Sequence, residues 1–173
     1  MGTVTLITGG ARSGKSTQAL QLALPYKRKF FVATGQALDD EMTARIQFHR
    51  TTRPPDFQTV EEPLRVVAAL EKLGNSADLV VLDCLTLWIS NLMQLHGMDD
   101  GPVLAEADKL AAMLKQASFA SIVVTDEVGS GIVPTDHAES RRFRDLLGWT
   151  NQKVAAVAGD VLLMVAGYPL SVK

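Results

Sequence analysis

The sequence of 173 residues contains one cysteine, Cys84, so no disulfide can form within a single chain. A lone thiol in an apolar segment is typical of a buried residue in a protein from a reducing compartment. Histidine is also scarce, with three residues, and aromatic residues make up only 6%. These scarcities exclude a disulfide-stapled secreted scaffold and predict a cytoplasmic protein.

An excess of charge of one sign is likewise missing, because the formal net charge is -2 and the longest basic run is 27–29. A protein that binds nucleic acid through its phosphates needs a basic surface, so we expect no nucleic-acid partner. The most apolar stretch, 79–95, is interrupted by Asp83, Ser90 and Asn91. That interruption predicts no membrane insertion, and the direct start on a strand predicts no signal peptide.

Hydrophobic residues make up 47% of the chain, which is ample for the core of a single α/β domain over 1–173. Nearly continuous branched apolar runs alternate with helical patterns, as in a mostly parallel sheet flanked by helices. The predicted strands are 3–8, 30–34, 78–83, 121–125 and 161–166, with an antiparallel edge strand at 168–172. The predicted helices are 15–24, 40–50, 63–73, 85–95, 102–117 and 137–158. The segment 51–59 contains Pro54 and Pro55 and is predicted to be an irregular loop that contacts substrate.

The clearest motif, G-x-x-x-x-G-K-[ST], follows the first predicted strand and predicts a P-loop NTPase-like fold. Glycines let backbone N–H groups approach a polyphosphate, and the helix that follows directs its positive dipole end at the anion. We expect Lys15 to bind the β- and γ-phosphates and Ser16 to offer its hydroxyl to Mg²⁺. The predicted phosphate-binding residues are Gly9, Gly10, Ala11, Arg12, Ser13, Gly14, Lys15 and Ser16.

Ligands of an open α/β sheet bind at the carboxyl ends of the strands, where this sequence carries three polar clusters. Asp83 closes one predicted strand, and Asp126 and Glu127 follow another. An acid on either strand is suited to hold Mg²⁺. The third cluster, Thr34, Gly35 and Gln36, is suited to line a nucleotide pocket.

Among the three histidines, His49 lies in a predicted helix where Arg45 and Arg50 flank it. A neutral imidazole is a nucleophile toward phosphoanhydrides, and the guanidinium groups would stabilise the transition-state charge. From the residues alone, a surface or capping role for His49 stays open. His96 and His137 stand at predicted helix ends, where capping is the simpler interpretation.

Taken together, these blocks resemble the bifunctional adenosylcobinamide kinase/adenosylcobinamide-phosphate guanylyltransferase family. The similar blocks span most of the chain in family order: 8–16, 33–36, 39–42, 45–46 with His49, 53–54, 83–86, 91–92, 127–129 and 131–134. The resemblance implies an enzyme that phosphorylates adenosylcobinamide with ATP or GTP. It then transfers GMP from GTP to adenosylcobinamide phosphate through a guanylylated histidine.

The resemblance also implies site residues and a homo-oligomer, specifically a trimer. His49 would carry GMP, with Phe48 where some relatives have a second histidine, and Asp83 stands where relatives carry glutamate. The metal would be held by Ser16 and Asp83. Beyond the phosphate loop, the implied GTP contacts are Thr34, Gly35, Gln36, Arg50, Thr51, Thr52, Arg53, Glu61 and Asp83.

Two other functions stay open at this point. One is a plain P-loop kinase of a small molecule, which needs no covalent intermediate. The other is a GTP-binding switch protein, which often carries an Asn-Lys-x-Asp element that this sequence lacks.

Overall fold

The computed structural model describes residues 2–173 and contains one seven-stranded sheet in the order β3-β2-β4-β5-β1-β6-β7. All neighbouring strands are parallel except β7, which is antiparallel to β6. The strands are β1 (Val4–Gly9), β2 (Lys29–Ala33), β3 (Phe57–Glu61), β4 (Leu79–Asp83), β5 (Ala120–Val124), β6 (Asp160–Val165) and β7 (Tyr168–Ser171).

Six helices connect or flank the strands, because parallel neighbours need crossover connections. They are α1 (Lys15–Leu22), α2 (Asp40–Thr52), α3 (Val66–Leu73), α4 (Leu85–His96), α5 (Asp100–Gln116) and α6 (Ala138–Val157). None of the helices within residues 2–173 is long and apolar enough to cross a membrane.

Alternating side chains of the central strands supply two apolar layers, one on each face of the sheet. Leu6 and Val80 belong to the larger layer, which packs against α3, α4, α5 and α6. Ile7 and Val81 belong to the smaller layer, which packs against α1. Because both faces are covered, the strands are nearly continuously apolar.

The register brings the functional loops to one edge of the sheet. Ala33 of β2 pairs with Asp83 of β4, and Asp83 pairs with Val124 of β5. Ile7 of β1 also pairs with Val124. The segments that follow β1, β2, β4 and β5 therefore emerge side by side at the carboxyl edge.

The predicted fold class is confirmed, including the antiparallel edge strand. The prediction of an irregular loop over 51–59 is wrong, because α2 runs to Thr52 and β3 begins at Phe57. An edge strand buries little, so β3 has the exposed polar residues Gln58, Thr59 and Glu61 instead of an apolar run.

Besides the end of α2, three helix ends differ from the prediction by two or three residues. The third helix begins at Val66 instead of 63, because the Glu62 carboxylate accepts hydrogen bonds from the N–H groups of Leu64 and Arg65 and holds a turn. The fifth begins at Asp100, since the Asp99 side chain caps it by accepting from the Gly101 N–H at 3.0 Å. The first ends at Leu22, two residues early.

Candidate functional site

The phosphate loop joins the end of β1 to the start of α1. Gly14 has φ +100°, a conformation that side chains rarely adopt. A Cβ on Gly9 would lie 2.7 Å from the Met164 carbonyl oxygen, so the backbones approach too closely for any other residue. Among residues 2–173, the N–H groups of Gly14, Lys15 and Ser16 have no hydrogen-bond acceptor. They are free to bind an anion.

Lys15 is buried, and its ammonium group has three partners, two in this loop and one after β5. Its Nζ donates to the carbonyl oxygens of Gly9 at 3.0 Å and Gly10 at 2.6 Å. It also forms an ion pair with Asp126 Oδ1 at 2.8 Å. The positive charge is thus fixed beside the free N–H groups, where a polyphosphate needs it.

The sequence alone did not distinguish Asp126 from Glu127 in the second acidic cluster, and the structure shows that Asp126 contacts the phosphate loop. Its backbone is fixed on both sides, since its N–H donates to Thr86 Oγ1 and its carbonyl oxygen accepts from Asn151 Nδ2. Its carboxylate meets Lys15. The neighbouring Glu127 is instead occupied with its own turn, where it accepts from the Gly129 N–H at 3.0 Å. The adjacency of β5 and β1 explains why Asp126 reaches the loop.

Asp83, at the end of β4, contacts the phosphate loop through Ser16. Ser16 Oγ donates to Asp83 Oδ2 at 3.5 Å, which brings the two predicted metal ligands together. Burial raises the pKa of Asp83, and the Asp126 charge raises it further, while the charges of His49, Arg53 and Lys15 lower it. A cation bound here would favour the ionised carboxylate.

Two oxygen donors, one from Ser16 and one from Asp83, meet beside the phosphate loop. Residues 2–173 contain no group of three or more His, Cys, Asp or Glu side chains that could hold a metal ion. Mg²⁺ is typically held by one or two protein oxygens, with water and substrate phosphates completing the octahedron. The Ser16 hydroxyl and the Asp83 carboxylate are oxygens of that kind.

Thr34 is predicted to line the nucleotide pocket, and in the structure its hydroxyl connects β2 to β4 through Cys84. The hydroxyl donates to the Cys84 carbonyl oxygen at 2.8 Å and accepts from the Cys84 N–H at 2.9 Å. The Thr34 carbonyl oxygen accepts from Asn91 Nδ2 at 2.8 Å. These bonds tie the ends of β2 and β4 together and leave the partly buried Gly35 and Gln36 at the edge.

The helix α2, which carries His49, has no buried residue. Its start is fixed by Asp39, whose side chain accepts from the Met42 N–H at 2.7 Å. His49 is exposed in the last turn, with its ring edge-on to Phe48 at 6.0 Å between centroids. A charge on His49 would lower the pKa of Asp83, which burial raises.

Two residues that are predicted to contact nucleotide, Thr51 and Thr52, form hydrogen bonds within the last turn of α2. The hydroxyls of Thr51 and Thr52 both donate to the Phe48 carbonyl oxygen, at 3.0 and 2.8 Å. Among the other histidines, His96 ends α4, and His137 precedes α6 without a capping bond from its side chain.

A cavity of about 330 Å³ lies between the end of α2 and β3. Arg50 and Glu61 form an ion pair on its wall. Arg53 donates from Nη1 to Thr59 Oγ1 at 2.6 Å, and its guanidinium carbon lies 3.7 Å from the centroid of the Phe31 ring. The lining residues are Arg50, Arg53, Pro54, Pro55, Phe57, Thr59 and Glu61.

Comparison with solved structures supports the fold. The chain is similar to the RadB recombinase, with a TM-score of 0.55, 20% identity and coverage of 93% of this chain and 73% of that one. It is also similar to an ATPase from the type III secretion system of pathogenic bacteria, with a TM-score of 0.60, 13% identity and coverage of 94% and 51%.

Comparison with curated proteins gives much closer matches. The chain is 38% identical to the bifunctional adenosylcobalamin biosynthesis protein CobU of Escherichia coli, over 97% of this chain and 98% of that protein. It is 40% identical to the corresponding protein CobP of Pseudomonas aeruginosa, over 97% and 96%. The family model described as cobinamide kinase / cobinamide phosphate guanyltransferase matches residues 5–172. The chain therefore belongs to this family of bifunctional transferases.

Proposed function

We propose that the enzyme first phosphorylates adenosylcobinamide with ATP or GTP and then guanylylates the product through His49, with Mg²⁺ in both steps. The observation that carries this proposal is the contact between Ser16 Oγ of the phosphate loop and Asp83 Oδ2 at 3.5 Å, in the loop whose Lys15 ammonium group is fixed by Asp126. This contact supports one phosphate and metal site that serves both steps, and the family resemblance supports His49 as the nucleophile.

In the kinase step, the acceptor hydroxyl oxygen attacks the γ-phosphorus and loses its proton to water, the bond from that phosphorus to the bridging oxygen breaks, and the nucleoside diphosphate leaves. Lys15 and the free N–H groups of the loop hold the β- and γ-phosphates. When bound, Mg²⁺ supplies charge neutralisation for the leaving phosphates. Ser16 and Asp83 would hold the ion.

In the transferase step, a ring nitrogen of His49 attacks the α-phosphorus of GTP and expels pyrophosphate. An oxygen of adenosylcobinamide phosphate then attacks the same phosphorus, the P–N bond breaks, and His49 is free again. The phosphate loop that binds β and γ in the kinase step binds the leaving pyrophosphate here, so Lys15 acts in both steps.

The cavity beside α2 is suited to a guanine base. Guanine presents two neighbouring N–H donors that adenine lacks, and Glu61 offers a carboxylate at the cavity wall. The Arg53 guanidinium, stacked on Phe31, offers a flat surface. This arrangement supports a preference for GTP in the step that uses His49.

The test compares both activities in His49→Ala and, as a matched control, His96→Ala. With GTP labelled at the α-phosphate, we expect wild-type enzyme and the control to acquire acid-labile, base-stable label. We expect His49→Ala to acquire none and to keep much of its kinase activity, which needs no covalent intermediate. Full labelling of His49→Ala would contradict the assignment, and an absence of label on wild-type enzyme would favour a plain kinase.

A further inference from the structure

A two-residue turn joins β6 to β7 and packs against the phosphate loop. It consists of Ala166 and Gly167. Both turn residues have positive φ, +49° and +90°, as in the tight two-residue hairpin turn that matches strand twist. The Gly167 N–H donates to the Ser13 carbonyl oxygen at 2.9 Å. A Cβ on Gly14 would lie 3.1 Å from the Gly167 Cα, so the two backbones touch.

This hydrogen bond fixes the orientation of one peptide group in the loop. The Ser13–Gly14 peptide is trans, and in a trans peptide the C=O and the N–H point in opposite directions. Because the Ser13 carbonyl points at the hairpin, the Gly14 N–H points away from it. That N–H is one of the donors without an acceptor among residues 2–173.

The alternative orientation would harm phosphate binding. Gly14 has the conformational freedom to let this peptide rotate, and a rotated peptide would turn the Ser13 carbonyl toward the anion. A carbonyl oxygen there repels phosphate, whereas an N–H binds it. The hairpin contact therefore selects the binding orientation before the nucleotide arrives.

We propose that Gly167 is a positioning residue for phosphate binding, which acts by holding the Ser13–Gly14 peptide with its N–H toward the nucleotide. A donor near the end of the chain thus helps to preorganise a loop near its start. The inference rests on the proposed use of this loop for the β- and γ-phosphates in both steps. It does not depend on the role of His49.

The direct test deletes one N–H and keeps the rest of the turn. Incorporation of glycolic acid at position 167 replaces the amide N–H with an ester oxygen. The matched control is the same replacement at Tyr168, which pairs with Val165 and belongs only to the β6–β7 ladder. Calorimetry then gives the affinity of each protein for pyrophosphate with Mg²⁺, and both half-reactions are assayed.

We expect the 167 ester to bind pyrophosphate about tenfold more weakly than the control, since an intramolecular hydrogen bond is worth roughly that factor. The Michaelis constants for nucleotide should rise in both half-reactions, at a melting temperature like that of the control. Equal pyrophosphate affinities in the two esters would overturn the proposal. Failure of the proposed His49 chemistry would instead appear as missing guanylylation in wild-type enzyme with pyrophosphate binding intact.

Hydrogen exchange on unmodified protein gives a second measurement that does not depend on folding of the esters. Coupling between sites is reciprocal, so if the Gly167 bond favours phosphate binding, bound pyrophosphate must strengthen that bond. We expect the Gly167 amide to exchange more slowly with Mg²⁺ and pyrophosphate present. Unchanged exchange at saturating pyrophosphate would overturn the proposal.

Discussion

Replacement of Lys15 by methionine keeps most of the length of the side chain and removes its charged end. The wild-type Nζ contacts two loop carbonyl oxygens and Asp126, all within 3.0 Å. Removal of one charged donor aimed at transition-state charge typically costs about 3–4 kcal/mol, or roughly two to three orders of magnitude in rate. Because the same loop serves both steps, we expect the kinase and transferase rates to fall together.

The structure adds a second cost to this substitution. Without Lys15, the carboxylates of Asp126 and Asp83 lose a cation that they share and repel each other and the nucleotide. We therefore expect Lys15→Met/Asp126→Asn to bind nucleotide more tightly than Lys15→Met alone.

The assay measures both half-reactions separately, with Lys109→Met as the control on an exposed helix face. Lys109 pairs only with Glu106, so we expect both rates to stay near those of wild-type enzyme. Loss of one activity alone in Lys15→Met would show that the two steps use separate phosphate sites, contrary to this prediction.

Three further predictions follow from the geometry and the pKa shifts. Asp83→Asn should raise the Mg²⁺ concentration for half-maximal activity far more than Glu127→Gln, and the reverse order in a Mg²⁺ titration would exchange their roles. Burial raises the pKa of the Cys84 thiol to about 12, so iodoacetamide should modify it at pH 8 only after unfolding; rapid modification of native enzyme would contradict this. Hydrogen bonds from Arg28 lower the pKa of Asp78, so Asp78→Asn should reduce the free energy of unfolding at pH 7. The difference from wild-type protein should shrink as the pH falls below the ordinary pKa of Asp78 and the carboxylate takes up a proton; a difference that does not change with pH would contradict this.

The strands that the sequence predicts well are those buried on both faces of the sheet, because burial on both faces leaves a continuous apolar run. β1, β4 and β5 are continuous apolar runs, and their order follows from alternation with helices. β3 was not predicted because it lies at the edge of the sheet. It pairs with one neighbouring strand, so its residues need not form a continuous apolar run. Of the β3 residues that line the cavity, Glu61 was identified only through family resemblance, and Phe57 and Thr59 were not singled out.

The site shows a similar division. The phosphate loop is one continuous segment of the sequence, so its motif alone predicts Lys15 as a phosphate contact and Ser16 as a metal ligand. Contacts across the sheet depend on strand order, which sequence patterns do not specify. For that reason the pairing of Asp126 with Lys15 and the contact of Gly167 with Ser13 appear only in the folded chain.

Peptide mapping shows whether His49 carries GMP during turnover. Enzyme incubated with GTP and Mg²⁺, without the corrinoid acceptor, is digested at neutral or alkaline pH, and the peptides are analysed by mass spectrometry. We expect a single GMP adduct, located on the imidazole of His49 and lost when adenosylcobinamide phosphate is added. An adduct on another residue, or none while the transferase product still forms, would contradict the account.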